Sequence, residues 1–363
     1  TTEELTYKSG ASFVSIWDNV RGTDNYLFAD ESVDEREFCG GHGTGVSGVI
    51  GASINNGKQI SGAVDNVDIY ALRVMQCGFG FLSDAADALR WLAGVSIADI
   101  PDFDGEVQVA NLSLGGGSPD CPSYMQDAID TAKKAGITIV IASGNNGIDV
   151  SDFAPANCTG AIVVGATNRH GEQAGFSNYG TNVDISAQGV DILSLGWAQG
   201  ETYWWEGTSF AAPLVSAGVA IAKREDPKIS DSEVELYMEM TANTMALECP
   251  NPDCGAGIMD IDATVSLIQQ FDNGEVNIIK HALSDKSTCE QQWYVEHFGD
   301  KARLCSLYEI TLMADIVGDN VEYNIYRTLV GDAESSELFL STTDNKILVH
   351  DIETELYDYS LQM

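Results

Sequence analysis

Ile137-Thr-Ile-Val-Ile-Ala-Ser-Gly-Asn-Asn-Gly147 opens with six residues that lack a period-two alternation. Such a run reads as a strand covered on both faces, as in a parallel sheet flanked by helices. It gives way to Ser143-Gly-Asn-Asn-Gly147, a turn signal that leaves small polar residues just past the strand's carboxyl end, where α/β proteins build their sites. Outward from it, Phe13–Trp17, Asp68–Val74, Val107–Ser113 and Ala161–Ala166 read as further strands. Helical patterns lie between them. Ser83 is placed to cap a helix carrying Ala86, Leu89, Trp91 and Leu92, and Pro122 to open another through Ala135. Thr208–Arg224 reads as a small-residue helix, and Ser230-Asp-Ser-Glu233 as a capping box. The rhythm predicts an α/β fold with a doubly wound, mostly parallel sheet over residues 1–270. Past that point Tyr308, Ile310, Leu312, Ala314 and Ile316 alternate with mostly polar neighbours, as do Val321, Tyr323 and Ile325. A small all-β domain is expected over residues 271–363, with Thr343-Asp-Asn-Lys346 as a hairpin turn.

The chain has 363 residues, room for one large domain and a small one. It carries 18 Lys+Arg against 55 Asp+Glu, a net charge of −37. So acidic a surface repels phosphate backbones and anionic lipid heads, which argues against nucleic-acid and membrane partners. No apolar run approaches membrane-spanning length. The chain opens on Thr1 rather than Met, and is expected to be a processed mature chain, or an excised piece, whose targeting segment is already gone. Its eight cysteines include no Cys-x-x-Cys pair, so zinc-ligand spacing is absent. Their even number and loop positions predict disulfides and an oxidising compartment, the alternative being buried free thiols.

Four polar residues sit in suggestive frames, in the order Asp, His, Asn, Ser. Gly207-Thr-Ser-Phe-Ala-Ala-Pro213 puts Ser209 at a helix start, where free N–H groups and the positive dipole end stabilise a developing oxyanion. Gly41-His-Gly-Thr-Gly-Val-Ser-Gly48 puts His42 at another; of the five histidines it alone is framed this way. Asp18 follows the apolar run Phe13–Trp17, and Asn145 lies in the turn after Ala142. Read singly, each has a bland alternative: a capping serine, a surface histidine, a strand-ending aspartate, an Asn-Gly turn. Together they are an orienting carboxylate, a general base, an oxyanion donor and a nucleophile, the set that acyl transfer needs.

These segments resemble the subtilases, the subtilisin-like serine peptidases. The family's His-Gly-Thr-His is matched by His42-Gly-Thr-Gly45, its Gly-Thr-Ser-Met-Ala by Gly207-Thr-Ser-Phe-Ala211, its Ser-Leu-Gly-Gly by Ser113-Leu-Gly-Gly116, and its Gly-Asn by Gly144-Asn145. The order Asp, His, Ser is that of subtilisin. Two departures stand out: Asp18-Asn-Val replaces Asp-Ser/Thr-Gly, which leaves Asp24 as an outside candidate for the carboxylate, and Gly45 replaces the motif's second histidine. The resemblance covers roughly residues 12–265 and implies a secreted, extracellular endopeptidase with Asp18, His42 and Ser209 as triad and Asn145 as oxyanion donor. A catalytically silent relative that binds peptides or adheres is the alternative. The resemblance also implies that Gly78-Phe-Gly80 and Ser113-Leu-Gly115 sandwich the substrate as an added strand, that Leu82 lines an upstream pocket, and that Ser143 and Gly144 line the pocket for the residue before the scissile bond. Ile54-Asn-Asn-Gly-Lys-Gln-Ile60 resembles the family's calcium loop, with the Asn56 side chain and the carbonyls of Ile54, Lys58 and Ile60 as ligands to Ca²⁺ and Asp24 as a completing carboxylate. By the same likeness Cys39 pairs with Cys77; Cys249–Cys254, Cys121–Cys158 and Cys289–Cys305 complete the expected bridges. Expected partners are protein or peptide substrates and a propeptide or proteinaceous inhibitor, around a monomer.

Overall fold

The computed structural model describes residues 5, 7–15, 41–58, 60–75, 78–196, 201–244, 249–250 and 253–272, together with the backbone of six strands between 277 and 362. Its backbone falls into two units, Thr1–Val265 and Ser266–Met363.

In chain order the first unit contains β1 (Tyr7–Ser12), α1 (His42–Gly51), β2 (Ile69–Arg73), α2 (Leu82–Leu92), β3 (Val109–Leu112), β4 (Gly116–Gly117), α3 (Ser123–Lys134), β5 (Thr138–Ala142), β6 (Phe153–Ala154), β7 (Ile162–Thr167), β8 (Ile185–Gln188), β9 (Ile192–Leu195), β10 (Thr202–Trp205), α4 (Thr208–Glu225) and α5 (Asp231–Thr241). Helix α6 (Ile261–Asp272) spans the division between the units. Strands β3, β5, β7 and β8 form a four-stranded parallel sheet in that order, and β1 pairs with β2 in parallel. Every residue of β5 and β7 is buried. This is why their sequences do not alternate: helices cover both faces, so every position is apolar or small.

Two expectations are corrected. The first strand is Tyr7–Ser12, not Phe13–Trp17. Phe13 and Val14 are fully buried, but they follow the strand; Phe13 keeps one backbone bond to Arg73 O at 2.8 Å and packs edge-on to Trp91 at 5.6 Å. Their apolarity comes from core packing, while pairing with β2 is made by the polar stretch before them. Helix α2 starts at Leu82 with Phe81 in the N-cap position and no side-chain cap. Ser83 thus lies inside the first turn, exposed. The neighbouring Asp84 carboxylate, buried, instead accepts the Ser15 N–H at 2.9 Å and ties the end of β1 to this helix.

Other local readings hold. Pro122 is the N-cap of α3 and Ala135 its C-cap. Ser230 and Glu233 form the capping box of α5. Helix α2 turns Ala85, Ala86, Ala88, Leu89 and Trp91 inward, and α3 turns Met125, Ala128, Ile129 and Ala132. Arg90 clamps the two, donating to Asp127 at 3.0 Å and to the Tyr124 carbonyl at 2.6 Å. Helix α4 is buried along most of its length, which small residues permit.

The second unit contains β11 (Asn277–Ala282), β12 (Ser306–Met313), β13 (Tyr323–Leu329), β14 (Glu337–Thr342), β15 (Lys346–Asp351) and β16 (Tyr357–Gln362). Two antiparallel sheets result, in the orders β11-β12-β15 and β14-β13-β16. Thr343–Asn345 lie outside the described residues, but β14 and β15 on either side belong to different sheets, so Thr343-Asp-Asn-Lys346 does not close a hairpin. Strand β14 pairs with its predecessor β13, whereas β15 pairs back with β12. Among the described residues, no helix is long and apolar enough to cross a membrane.

Candidate active site

The carboxyl ends of β3 and β5 carry Ser113 and Ser143-Gly144-Asn145, and the amino end of α4 faces them. His42 is the first residue of α1. His42, Gly78, Ser113, Leu114, Gly115, Gly144, Asn145 and Ser209 all border one large, open depression that also reaches Lys133, Arg224 and Asp231. Phe79, Gly80, Leu82 and Ser143 are not on that lining: Phe79 is 73% exposed, Leu82 begins α2, and Ser143 is fully buried. Asp18, Asp24, Cys39 and Cys77 lie outside the described residues.

The start of α4 is held by a chain of hydrogen bonds. Pro213 has no N–H, so the carbonyl of Ser209, four residues earlier, gets no helical donor. Ser113 Oγ fills the gap, donating to Ser209 O at 2.8 Å. Ser113 Oγ in turn accepts from Asn111 Nδ2 at 2.9 Å, and Asn111 Oδ1 accepts from Ser216 Oγ, about two turns along α4, at 3.0 Å. Ser209 Oγ donates to Ser113 O at 3.4 Å. The helix that carries the serine is thereby riveted to β3 by side chains that otherwise would be unsatisfied in the interior.

Asn145 is oriented from the same helix end. Its Oδ1 accepts from the backbone N–H and the hydroxyl of Thr208, at 2.8 and 2.9 Å, while Thr208 Oγ1 accepts the Gly144 N–H at 3.1 Å. With the carboxamide oxygen so engaged, the Nδ2 amide is left to donate into the cleft. Gly144 has φ +107°, and a Cβ there would meet Asn178 Nδ2 at 2.4 Å and Phe153 at 2.8 Å, so only glycine fits.

Asn178 was not marked by the sequence, although it organises this loop. Fully buried, it donates Nδ2 to Ser143 O at 2.8 Å and accepts at Oδ1 from the N–H groups of Asn146 and Ile148, at 3.0 and 3.2 Å. Ser143 Oγ donates to its carbonyl at 3.3 Å. Every polar atom of Ser143 is therefore spent inside the protein. Phe176-Ser-Asn-Tyr-Gly180 reads as an ordinary turn, and nothing local distinguishes its asparagine.

His42 keeps solvent access at its surface, yet its ring meets Phe210 edge-on at 5.6 Å. The protein packed around it disfavours the imidazolium and holds its pKa below the ordinary imidazole value. At neutral pH it is a proton acceptor.

In the Ile54–Ile60 loop, Asn56 Oδ1 accepts the Lys58 N–H at 2.9 Å. The Asn56 carboxamide oxygen and the carbonyls of the loop are all oxygen donors, a set that suits Ca²⁺. A second oxygen cluster, unforeseen from sequence, gathers carboxylates of Asp184, Glu235 and Glu239 within 4.8 Å of one another. Burial, with smaller contributions from Glu235 and Glu239, pushes Asp184 up to about 8. The bridges Cys121–Cys158 and Cys249–Cys254 are formed; Cys289 and Cys305 lie outside the described residues.

A parallel-sheet α/β protein with a cleft beyond its strand ends, bordered by a helix-borne serine and a helix-borne histidine, is the class these features define. The chain belongs to the subtilase family, Peptidase S8, matched over residues 16–257. It is 39% identical over 235 residues to an extracellular protease of Xanthomonas campestris pv. campestris, covering 62% of this chain and 40% of that one. It is 35% identical over 245 residues to an extracellular basic protease of Dichelobacter nodosus, covering 64% and 40%. The chain thus spans about two fifths of the length of these relatives. Among solved structures it resembles a protease from Pseudoalteromonas arctica, with a TM-score of 0.59, 34% identity, and coverage of 62% and 70%.

Proposed function

We propose that this chain is a secreted serine endopeptidase. Ser209 Oγ attacks the scissile carbonyl as His42 takes its proton; the imidazolium then returns that proton to the leaving amine, and water, activated by the same ring, hydrolyses the acyl-enzyme. Asp18 holds the imidazole in the tautomer this requires. Asn145 Nδ2 and the Ser209 N–H receive the oxyanion. The observation that carries the reading is the tie of the Asn145 carboxamide oxygen to Thr208, which presets the amide as a donor beside Ser209. The depressed pKa of His42 supports its role as base near neutral pH.

Substrate would enter as an extended strand between Gly78–Gly80 and Ser113–Gly115, paired through the main chain, with Gly144 at a side-chain pocket. Ile54, Asn56, Lys58 and Ile60, with Asp24, would hold Ca²⁺, whose service is to stiffen the loop. Residues 1–270 form the peptidase domain and 271–363 a small β domain; the division of the backbone near residue 265 supports this. Extracellular location is supported by the relatives' names and by two disulfides. Protein or peptide substrates and an inhibitory propeptide are the partners of a monomer.

A fluorophosphonate probe tests the mechanism. The parent chain should hydrolyse peptides and carry the label on Ser209, and Ser209→Ala should fold, stay unlabelled and fall to background. Undiminished hydrolysis by Ser209→Ala would remove the nucleophile. A parent chain that binds peptides without labelling would establish the silent, adhesive reading instead.

A further inference from the structure

Two departures of this chain from the subtilase motifs meet in space. Gly45 stands where the histidine motif has its second histidine, and Phe210 where the serine motif has methionine. A Cβ on Gly45 would lie 3.0 Å from Trp205 Cε2 and 3.2 Å from Leu195 O. The indole occupies the room that glycine leaves, and its Nε1 donates to Leu195 O at 3.2 Å. Trp205 stacks on Phe210, with centroids 5.0 Å apart and planes inclined by 23°. Phe210, 1% exposed, meets the His42 ring at 5.6 Å and 75°. Ser194 Oγ donates to Gly45 O at 2.6 Å and pins the strand carrying Leu195 to α1.

We infer that Gly45, Trp205 and Phe210 are a coupled positioning unit that fixes the ring of His42 for proton transfer. The inference rests on the peptidase reading, in which His42 is the base. A rigid ring with two side-chain torsions, backed by a second stacked ring, gives the imidazole one wall to lie against; methionine, with three torsions, would let it swing. The surroundings of the ring are otherwise poor in charge among the described residues. Strand β9 (Ile-Leu-Ser-Leu) carries no titratable group, and α1 none besides His42. Tyr203 lies on β10 with Glu206 just beyond it, Tyr7 reaches α1 at Thr44 and Ser47, and Lys223, Arg224 and Glu225 are at the far end of α4. Among the described residues, aromatic packing by Phe210 is the ring contact made to the imidazole, and it acts beside the proposed tie to Asp18.

The test uses the full chain with Phe210→Leu, Trp205→Leu and Trp205→Phe, which keep apolar bulk. We expect kcat on a fluorogenic peptide to fall about ten- to a hundredfold in the two leucine variants, the scale of a small misplacement of a reacting group. KM should stay within about twofold, and the acid limb of the pH–rate profile should move up toward the ordinary imidazole range. Trp205→Phe should restore most of kcat. Folded leucine variants with unchanged kcat and acid limb would overturn the inference. If the parent hydrolyses no peptide, the peptidase reading fails, and a separate measurement still decides the brace. It is an NMR titration of His42 in the Ser209→Ala background, where an upward shift on adding Phe210→Leu supports the brace and no shift refutes it.

Discussion

Asn178→Ala removes three hydrogen bonds that define the loop bearing Asn145. The lost donor leaves Ser143 O unsatisfied in a fully buried residue, a penalty of about 1–3 kcal/mol. The N–H groups of Asn146 and Ile148 lie in exposed residues and regain water, so each loses about 0.5–1.5 kcal/mol. The sum is about 2–6 kcal/mol, on the order of 10 °C in melting temperature for a unit of this size. The same change frees the Gly144–Asn145 turn at its base, so kcat should fall about tenfold or more while KM moves little. Calorimetry on the Ser209→Ala background, which prevents self-digestion, gives the first quantity; peptide kinetics on the single variant give the second. Asn178→Asp is the sharper control: it keeps both acceptor bonds, loses the donor and buries a charge, and should melt no higher than Asn178→Ala. An alanine variant melting within about 2 °C of its parent with full kcat would refute the assigned role, since by the scaling used above the loss would then be under about 1 kcal/mol.

Asp184, pushed from 3.8 to about 8, binds a proton in the fold that the unfolded chain has released, so this group makes stability fall as pH rises between those values and level off above. Asp184→Asn should therefore melt higher than its parent by an amount that grows from about pH 5 to about pH 8.5. A four-unit shift, on the order of 5–6 kcal/mol, reduces to about 2–3 kcal/mol for a half-buried carboxylate, and equal differences at the two pH values would contradict the account. Replacing Cys121 and Cys158 by serine opens a loop spanning 37 positions and should cost about 4 kcal/mol in urea denaturation; an unchanged midpoint would show the bridge to be ornamental. Calcium chelation should lower the melting temperature of the parent but not of Asn56→Ala, and equal sensitivity in both would exclude Asn56 as a ligand.

The parallel sheet was legible because burial on both faces leaves a compositional trace: Thr138–Ala142 and Ile162–Thr167 have no exposed position and so no polar beat. Phe13 misled for the converse reason. Hydrophobicity reports burial, and at the end of β1 burial and backbone pairing are separate, the pairing resting on Tyr7–Ser12. The pairing of β15 with β12, past two intervening strands, was equally invisible, since periodicity assigns a strand but not its partner.

The candidate site divides along a similar line. Its chemical groups lie in glycine-framed motifs because helix starts and tight turns demand particular backbone conformations, which few residues adopt. The groups that aim them carry no such mark. Ser113 matters because Pro213, a hundred residues later, vacates a carbonyl; Asn178 matters because Gly144 leaves room for its amide. Each is half of a complementary pair, and the need that one half fills is created by the other. A single sequence shows donors and vacancies but not their matching. The same logic recasts Gly45: beside the family motif it looks like a loss, and beside Trp205 it is the space that an indole requires. Departures from a motif are best interpreted in pairs, since a buried cavity opened by one substitution is stable only when a second side chain fills it.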